Sequence, residues 1–145
     1  MKNRNDRMLL YIGMADAYAF AMEYLTGVNE RFSRYACLKF KCYCNHPIHL
    51  HHLPASFYTD DTEMSVANAR VLIEDGTSNL LPLIFADTWL HEFKRGGGRK
   101  GYSRGFQNLL EKARSGLNLL QMIRPDSNKN GAAMRSVPFG VISDI

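Results

Sequence analysis

The sequence predicts an all-α chain, on three observations. Apolar residues recur at three- and four-residue spacing from Met64 to Val71 and again from Phe106 to Leu120. No stretch alternates apolar and polar residues for long enough to make a half-buried strand. Glycine and proline fall between the periodic segments, where helices start and stop.

Residues 8–25, rich in Leu, Ala, Met and Tyr, read as a first helix. Residues 26–57 read as irregular, carrying Gly27, Pro47, Pro54 and all three cysteines. A second helix is expected from Asp60 to Glu74, with Met64, Ala67 and Val71 on one face and Asp75-Gly76 as its stop. Ser78 and Pro82 open a third, which runs through Ile84, Phe85, Trp89 and Phe93 to Arg95. After a glycine loop, Phe106, Leu109, Leu110, Ala113, Leu117 and Leu120 predict one continuous fourth helix ended by Pro125. The run Asp126 to Gly131 is a turn signal, and another helix is expected to begin at Ala132 to Arg135. The last residues, Val137 to Ile145, are apolar and lack a polar tail, so the domain reads as interrupted.

The 145 residues amount to one domain, long enough to bury a core. With 46% hydrophobic and 22% charged residues the chain has a globular composition, which excludes a disordered one. No apolar run approaches the roughly 20 residues that span a bilayer. The basic start is followed by Asp16 and Glu23 and by no clear cleavage site, so no signal peptide and a cytoplasmic location are expected. The net charge of +4 invites a nucleic-acid reading, but the positive residues are scattered. Their one concentration, Lys94 to Arg104 around Gly96-Gly97-Gly98, lacks Walker spacing and reads as a solvated basic loop.

Three places carry residue types suited to chemistry. Thr59, Asp60 and Asp61 offer three consecutive oxygen donors of the kind hard cations such as Mg²⁺, Mn²⁺ or Ca²⁺ prefer. The same residues suit a helix start, where Thr and Asp cap and Asp60-x-x-Glu63 has capping-box spacing. Asp16 and Glu23 lie seven residues apart on the first expected helix, about 10 Å along its axis and on one face. An acid in so apolar a stretch must be paired, hydrogen-bonded or metal-bound when buried; equally, Asp16 could cap a neighbouring loop and Glu23 be simply exposed. Gly13, Ala15, Ala17, Ala19 and Ala21 keep the surrounding surface small enough for a close neighbour or a ligand. Finally, the turn Ser127 to Gly131 presents backbone amides and polar side chains that suit a phosphate or a sugar edge, or make a plain helix connection.

A fourth cluster competes with these. Cys37, Cys42, Cys44, His46, His49, His51 and His52 lie within sixteen positions. Such donors build tetrahedral zinc sites, but this spacing matches no standard finger, and a structural zinc at Cys37, Cys42, Cys44 and His46 is the lesser reading. An odd cysteine count also argues against a disulfide framework. A small zinc-stabilised interaction module remains a competing function.

Taken in order, three runs resemble the ADP-ribosylglycohydrolase family, which includes dinitrogenase reductase-activating glycohydrolase. They are Gly13-Met14-Ala15-Asp16-Ala17-Tyr18-Ala19 with the later Glu23, then Thr59-Asp60-Asp61-Thr62-Glu63-Met64, then Asn130-Gly131-Ala132-Ala133-Met134-Arg135-Ser136-Val137-Pro138-Phe139-Gly140. The resemblance implies an orthogonal helical bundle around a two-metal Mg²⁺ or Mn²⁺ centre, which binds ADP-ribose and cleaves its bond to a protein side chain or related acceptor. Thr59, Asp60 and Asp61 match the metal ligands. Glu23 and Asp61 match catalytic acids, and Asp16, Ser127, Asn130 and Gly131 match groups that meet the ADP-ribose.

Ala15 and Ala19 stand where the family has glycines. The family domain is also about twice as long, roughly 250–300 residues, and its second acidic run, Asp-x-Asp-Thr, belongs to the downstream half. Asp144 alone does not reproduce that run. The chain therefore reads as a truncated N-terminal part of the domain, to be completed by a second chain or a homo-oligomer, or as a degenerate ADP-ribose binder that does not hydrolyse.

Overall fold

A computed structural model of the protein describes residues 7–23, 43, 45–46, 53–74, 76, 80–124, 126 and 130–141. Among them there are six α-helices and no strand. They are α1 (Met8–Ala19), α2 (Asp60–Glu74), α3 (Pro82–Arg95), α4 (Arg104–Lys112), α5 (Gly116–Met122) and α6 (Gly131–Met134). Short 3₁₀ turns follow α1 at Phe20–Met22 and α6 at Val137–Val141. The all-α expectation holds. No helix among the described residues is long and apolar enough to cross a membrane.

Helix α2 is the centre of the arrangement, packed against α1, α3 and the turn at Val137–Val141, while α3 also packs on α5. Its expected ends and buried face are both observed: Met64, Ala67 and Val71 are buried. Gly76 follows with φ of 67°, a left-handed conformation that suits glycine after a helix. Met64, Ala86, Leu90, Phe93, Tyr102, Leu110 and Leu119 form one core, edged by Trp89, Phe106 and Leu109. Full burial of each large apolar side chain contributes about 1.5–3 kcal/mol. Helix α3 begins at Pro82, whose missing N–H costs nothing in a first turn. It ends where Gly96 donates to the Glu92 carbonyl at 2.8 Å.

Two expected helices are shorter than their periodicity suggests. The first stops as an α-helix at Ala19 and tightens into the 3₁₀ turn, which buries Phe20 and Ala21. Glu23 then has extended backbone, φ −60° and ψ 136°, so it does not share a helical face with Asp16. The expected fourth helix is two helices, broken at Ala113, where ψ is 132°. Ser115 restarts the chain by accepting a hydrogen bond from the Asn118 amide. Gly116 then abuts α3: its amide donates to Asp87 Oδ1 at 2.6 Å, and a Cβ there would collide with Asp87. Pro125 lies outside the described residues.

Candidate functional site

Asp16 is the one charged residue of α1, and burial compels it to find partners. Its Oδ2 accepts from the Thr59 amide at 2.8 Å, the Thr62 amide at 3.2 Å and the Thr62 hydroxyl at 2.6 Å. Its Oδ1 accepts from the Thr59 hydroxyl at 2.7 Å. One carboxylate on α1 thus satisfies amides at the start of α2, which its own helix leaves without partners. The close approach runs through Gly13, where a Cβ would lie 3.6 Å from Thr62 Cγ2.

Asp60 and Asp61 follow directly in the first turn of α2, both half-buried. Burial foremost, then the neighbouring Asp61, pushes Asp60 up to about 7. Burial foremost, then Asp16 and Glu23, pushes Asp61 up to about 6, against the opposing pull of Arg135. Glu23 also raises Asp60, so the structure brings Asp16, Glu23, Asp60 and Asp61 into one electrostatic neighbourhood. Thr59 spends its hydroxyl proton on Asp16, which leaves its oxygen lone pairs as acceptors.

Glu63 does not close the capping box its spacing suggests. Its carboxylate takes the Tyr102 hydroxyl in a short hydrogen bond, and Arg99 Nε lies 3.4 Å away. Burial raises its proton affinity, and the two partners partly offset that rise. Arg99 is held over the rings of Phe57 and Tyr58, with its Cζ 4.5 Å and 4.1 Å from their centroids. The basic glycine loop is therefore fastened to the acidic start of α2. A groove of about 290 Å³ opens beside it, lined by Tyr58, Glu63, Val66, Glu92, Arg95 and Arg99. Its two carboxylates and two guanidinium groups offset one another, and none of Asp16, Glu23, Asp60 or Asp61 lines it.

Asn130 and Gly131 open the short helix α6. The Asn130 carbonyl accepts from the Ala133 amide at 2.9 Å. Fully buried Asn68, on α2, ties this segment down by donating to the Arg135 carbonyl at 2.7 Å. The same amide accepts from Trp89 Nε1 at 2.7 Å. The Arg135 guanidinium lies over Trp89 and Phe106. Its charge is felt at Asp61, which connects α6 to the acidic pair. Ser127 lies outside the described residues.

Sequence reasoning gave Glu63 only a capping role and missed Thr62, Tyr102, Asn68 and Arg135. Thr62 and Arg135 sit inside runs quoted above, and only their partners give them roles. Of the Cys/His segment, His46 is buried beside Phe20, and its Nε2 donates to the Glu23 carbonyl at 2.5 Å. Cys37, Cys42, Cys44, His49, His51 and His52 lie outside the described residues.

No group of three or more His, Cys, Asp or Glu side chains converges as a metal site among the described residues. The donors that are present, two carboxylates whose proton affinities are raised by burial first and by neighbouring carboxylates second, and a hydroxyl with free lone pairs, do fit a hard divalent cation. Comparison with curated proteins, and separately with solved structures, returned no match. The profile of one family, ADP-ribosylglycohydrolase, matches residues 8–145. With nearly the whole chain matched, and its three motif segments meeting around α2, this protein belongs to the ADP-ribosylglycohydrolase family.

Proposed function

We propose that the chain is a divalent-metal-dependent hydrolase that removes ADP-ribose from modified protein side chains. The family match supports the reaction class. The observation that carries the metal is the pair Asp60–Asp61. These adjacent half-buried carboxylates have no cation within salt-bridge distance among the described residues, and their proton affinities are raised. A bound cation lowers that repulsion.

In this reading Asp60, Asp61 and the Thr59 oxygen hold Mg²⁺ or Mn²⁺, and Asp16 fixes Thr59 for the purpose. When bound, such an ion supplies orientation of ribose hydroxyls and activation of water. Glu23, at the edge of the acidic cluster, takes or returns the proton. Asn130 and Gly131 present backbone to the ADP-ribose, and Ser127 joins them. Further ligands of a two-metal centre would come from residues other than those described.

The test is release of ADP-ribose from modified arginine or serine peptides with Mg²⁺ or Mn²⁺. Asp60→Asn and Asp61→Asn should each reduce release at least tenfold. Wild-type rates in both variants would end the reading. A second reading, binding of ADP-ribose without hydrolysis, is favoured by the small donor set among the described residues. Calorimetry showing ADP-ribose binding, with no release from any peptide, would select it.

A further inference from the structure

Glu23 is held on both sides of its Cα. Its amide donates to the Phe20 carbonyl at 3.3 Å, and its carbonyl accepts from His46 Nε2 at 2.5 Å. The two planar peptide groups that flank the Cα are thereby fixed, and with them the direction of the Cα–Cβ bond. The amide bond belongs to the 3₁₀ turn after α1. The carbonyl lies past that turn, on extended backbone with ψ of 136°, where helical bonding no longer orients it. His46 orients it instead, from 23 positions away in sequence.

The donor is itself anchored. His46 is 9% exposed, and its ring lies tilted against that of Phe20 at 5.8 Å. A ring nitrogen that meets a carbonyl must carry a proton, so neutral His46 has its hydrogen on Nε2. The imidazolium donates from the same atom, so the bond survives in either state. The preceding residue, Asn45, accepts from the Ala55 amide at 2.7 Å. Ala55 lies in the turn that the Phe57 amide closes on the Pro54 carbonyl at 3.2 Å, just before Thr59. Asn45 and His46 thus tie the exit of α1 to the approach of α2. The charge of Glu23 reaches both Asp60 and Asp61.

We propose that His46 is a positioning residue of the site, and that its Nε2–H aims the Glu23 carboxylate at the acidic start of α2. This role rests on the function proposed above, in which those acids bind a divalent cation and Glu23 stands beside it.

The experiment is Mn²⁺ titration of the full chain, read by electron paramagnetic resonance, as a double-mutant cycle of His46→Phe and Glu23→Gln. Phenylalanine keeps a ring against Phe20 and loses the donor, whereas glutamine at position 23 loses the charge and keeps the backbone carbonyl. Glu23→Gln should weaken Mn²⁺ about fivefold, the scale of one carboxylate charge removed from near a cation. His46→Phe should cost a similar factor by itself, and less than about twofold once Glu23→Gln is present. His46→Gln, which can place an amide N–H where Nε2 stood, should recover most of the affinity. Equal losses from His46→Phe in both backgrounds make His46 purely structural and overturn the proposal. So do wild-type affinity in folded His46→Phe, wild-type affinity in Glu23→Gln, and no recovery in His46→Gln. If His46→Phe does not fold, His46→Asn, whose amide falls short of the carbonyl, takes its place under the same criteria. Absence of Mn²⁺ binding by wild type ends the metal reading, and this proposal with it. Mn²⁺ binding without coupling between the two positions ends this proposal alone.

Discussion

Asp16 holds Thr59 by two hydrogen bonds at once, 2.8 Å from its amide and 2.7 Å from its hydroxyl, across 43 positions of sequence. With the two further bonds from Thr62, this carboxylate fixes where α2 begins, and so where Asp60 and Asp61 stand. Asp16→Ala strands two amides and two hydroxyls in a buried place. We expect it to cost about 3 kcal/mol, within the range for breaking a buried charged network. Asp16→Asn should cost nearly as much, since its NH₂ would face donors. Urea denaturation reads both values, and an Asp16→Ala variant as stable as wild type would contradict the network.

The start and end of α2 are legible in sequence because their signals are local: the Thr59-Asp60-Asp61 start and the glycine at position 76. The ends of α3 are legible for the same reason, through Pro82 and Gly96. The break at Ala113 is not, since apolar spacing continues across it and the deciding partner, Asp87, belongs to another helix. Asp16 illustrates the same limit at the site. Burial in an apolar stretch says that it needs partners, but Thr59 and Thr62 become those partners only through the approach of two helices. Likewise the spacing of Glu63 suggests a local cap, and the Tyr102 hydroxyl captures it instead.

The acidic pair makes metal-free stability depend on pH in a defined direction. Asp60 and Asp61 are raised to about 7 and about 6, from an unfolded value near 3.9. The folded state therefore binds more protons than the unfolded state across that interval, and stability falls as pH rises through it. Asp60→Asn removes the larger contribution. The difference in unfolding free energy between variant and wild type should shift in favour of the variant from about pH 5 to about pH 8. A difference that stays constant or moves the other way would refute the burial and repulsion assigned to Asp60.

Gly101 brings the basic loop against the same carboxylate. Its φ is 134°, and a Cβ there would lie 3.1 Å from both Asp60 Oδ1 and Thr59 Cβ. Gly101→Ala meets both strain and crowding, so a loss of about 1–3 kcal/mol is expected. The Asp60 side chain must also shift, which should weaken Mn²⁺ binding, read by electron paramagnetic resonance. Gly105→Ala, where a Cβ meets nothing within 4 Å, is the control and should leave both measurements near wild type.

Trp89 is the chain's single tryptophan, so its fluorescence reports on one place. Its indole N–H ends on Asn68 Oδ1, and the Asn68 amide nitrogen ends on the Arg135 carbonyl, so one side chain must both accept and donate. Asn68→Asp keeps the size and the acceptor but turns an ionised oxygen toward a carbonyl. Repulsion there, in a residue with 1% exposure, should destabilise by about 2–4 kcal/mol and release the segment that carries Arg135. Asn68→Leu removes both bonds and leaves the indole N–H and the carbonyl unsatisfied, for a loss of similar size. Both variants should change the emission of Trp89 in the native state, before any unfolding. The Asp variant should recover part of its stability as pH falls and its carboxyl becomes protonated and able to donate. Emission and stability unchanged in both would mean that α6 is held by its other contacts, and that Asn68 does not set the position of Arg135.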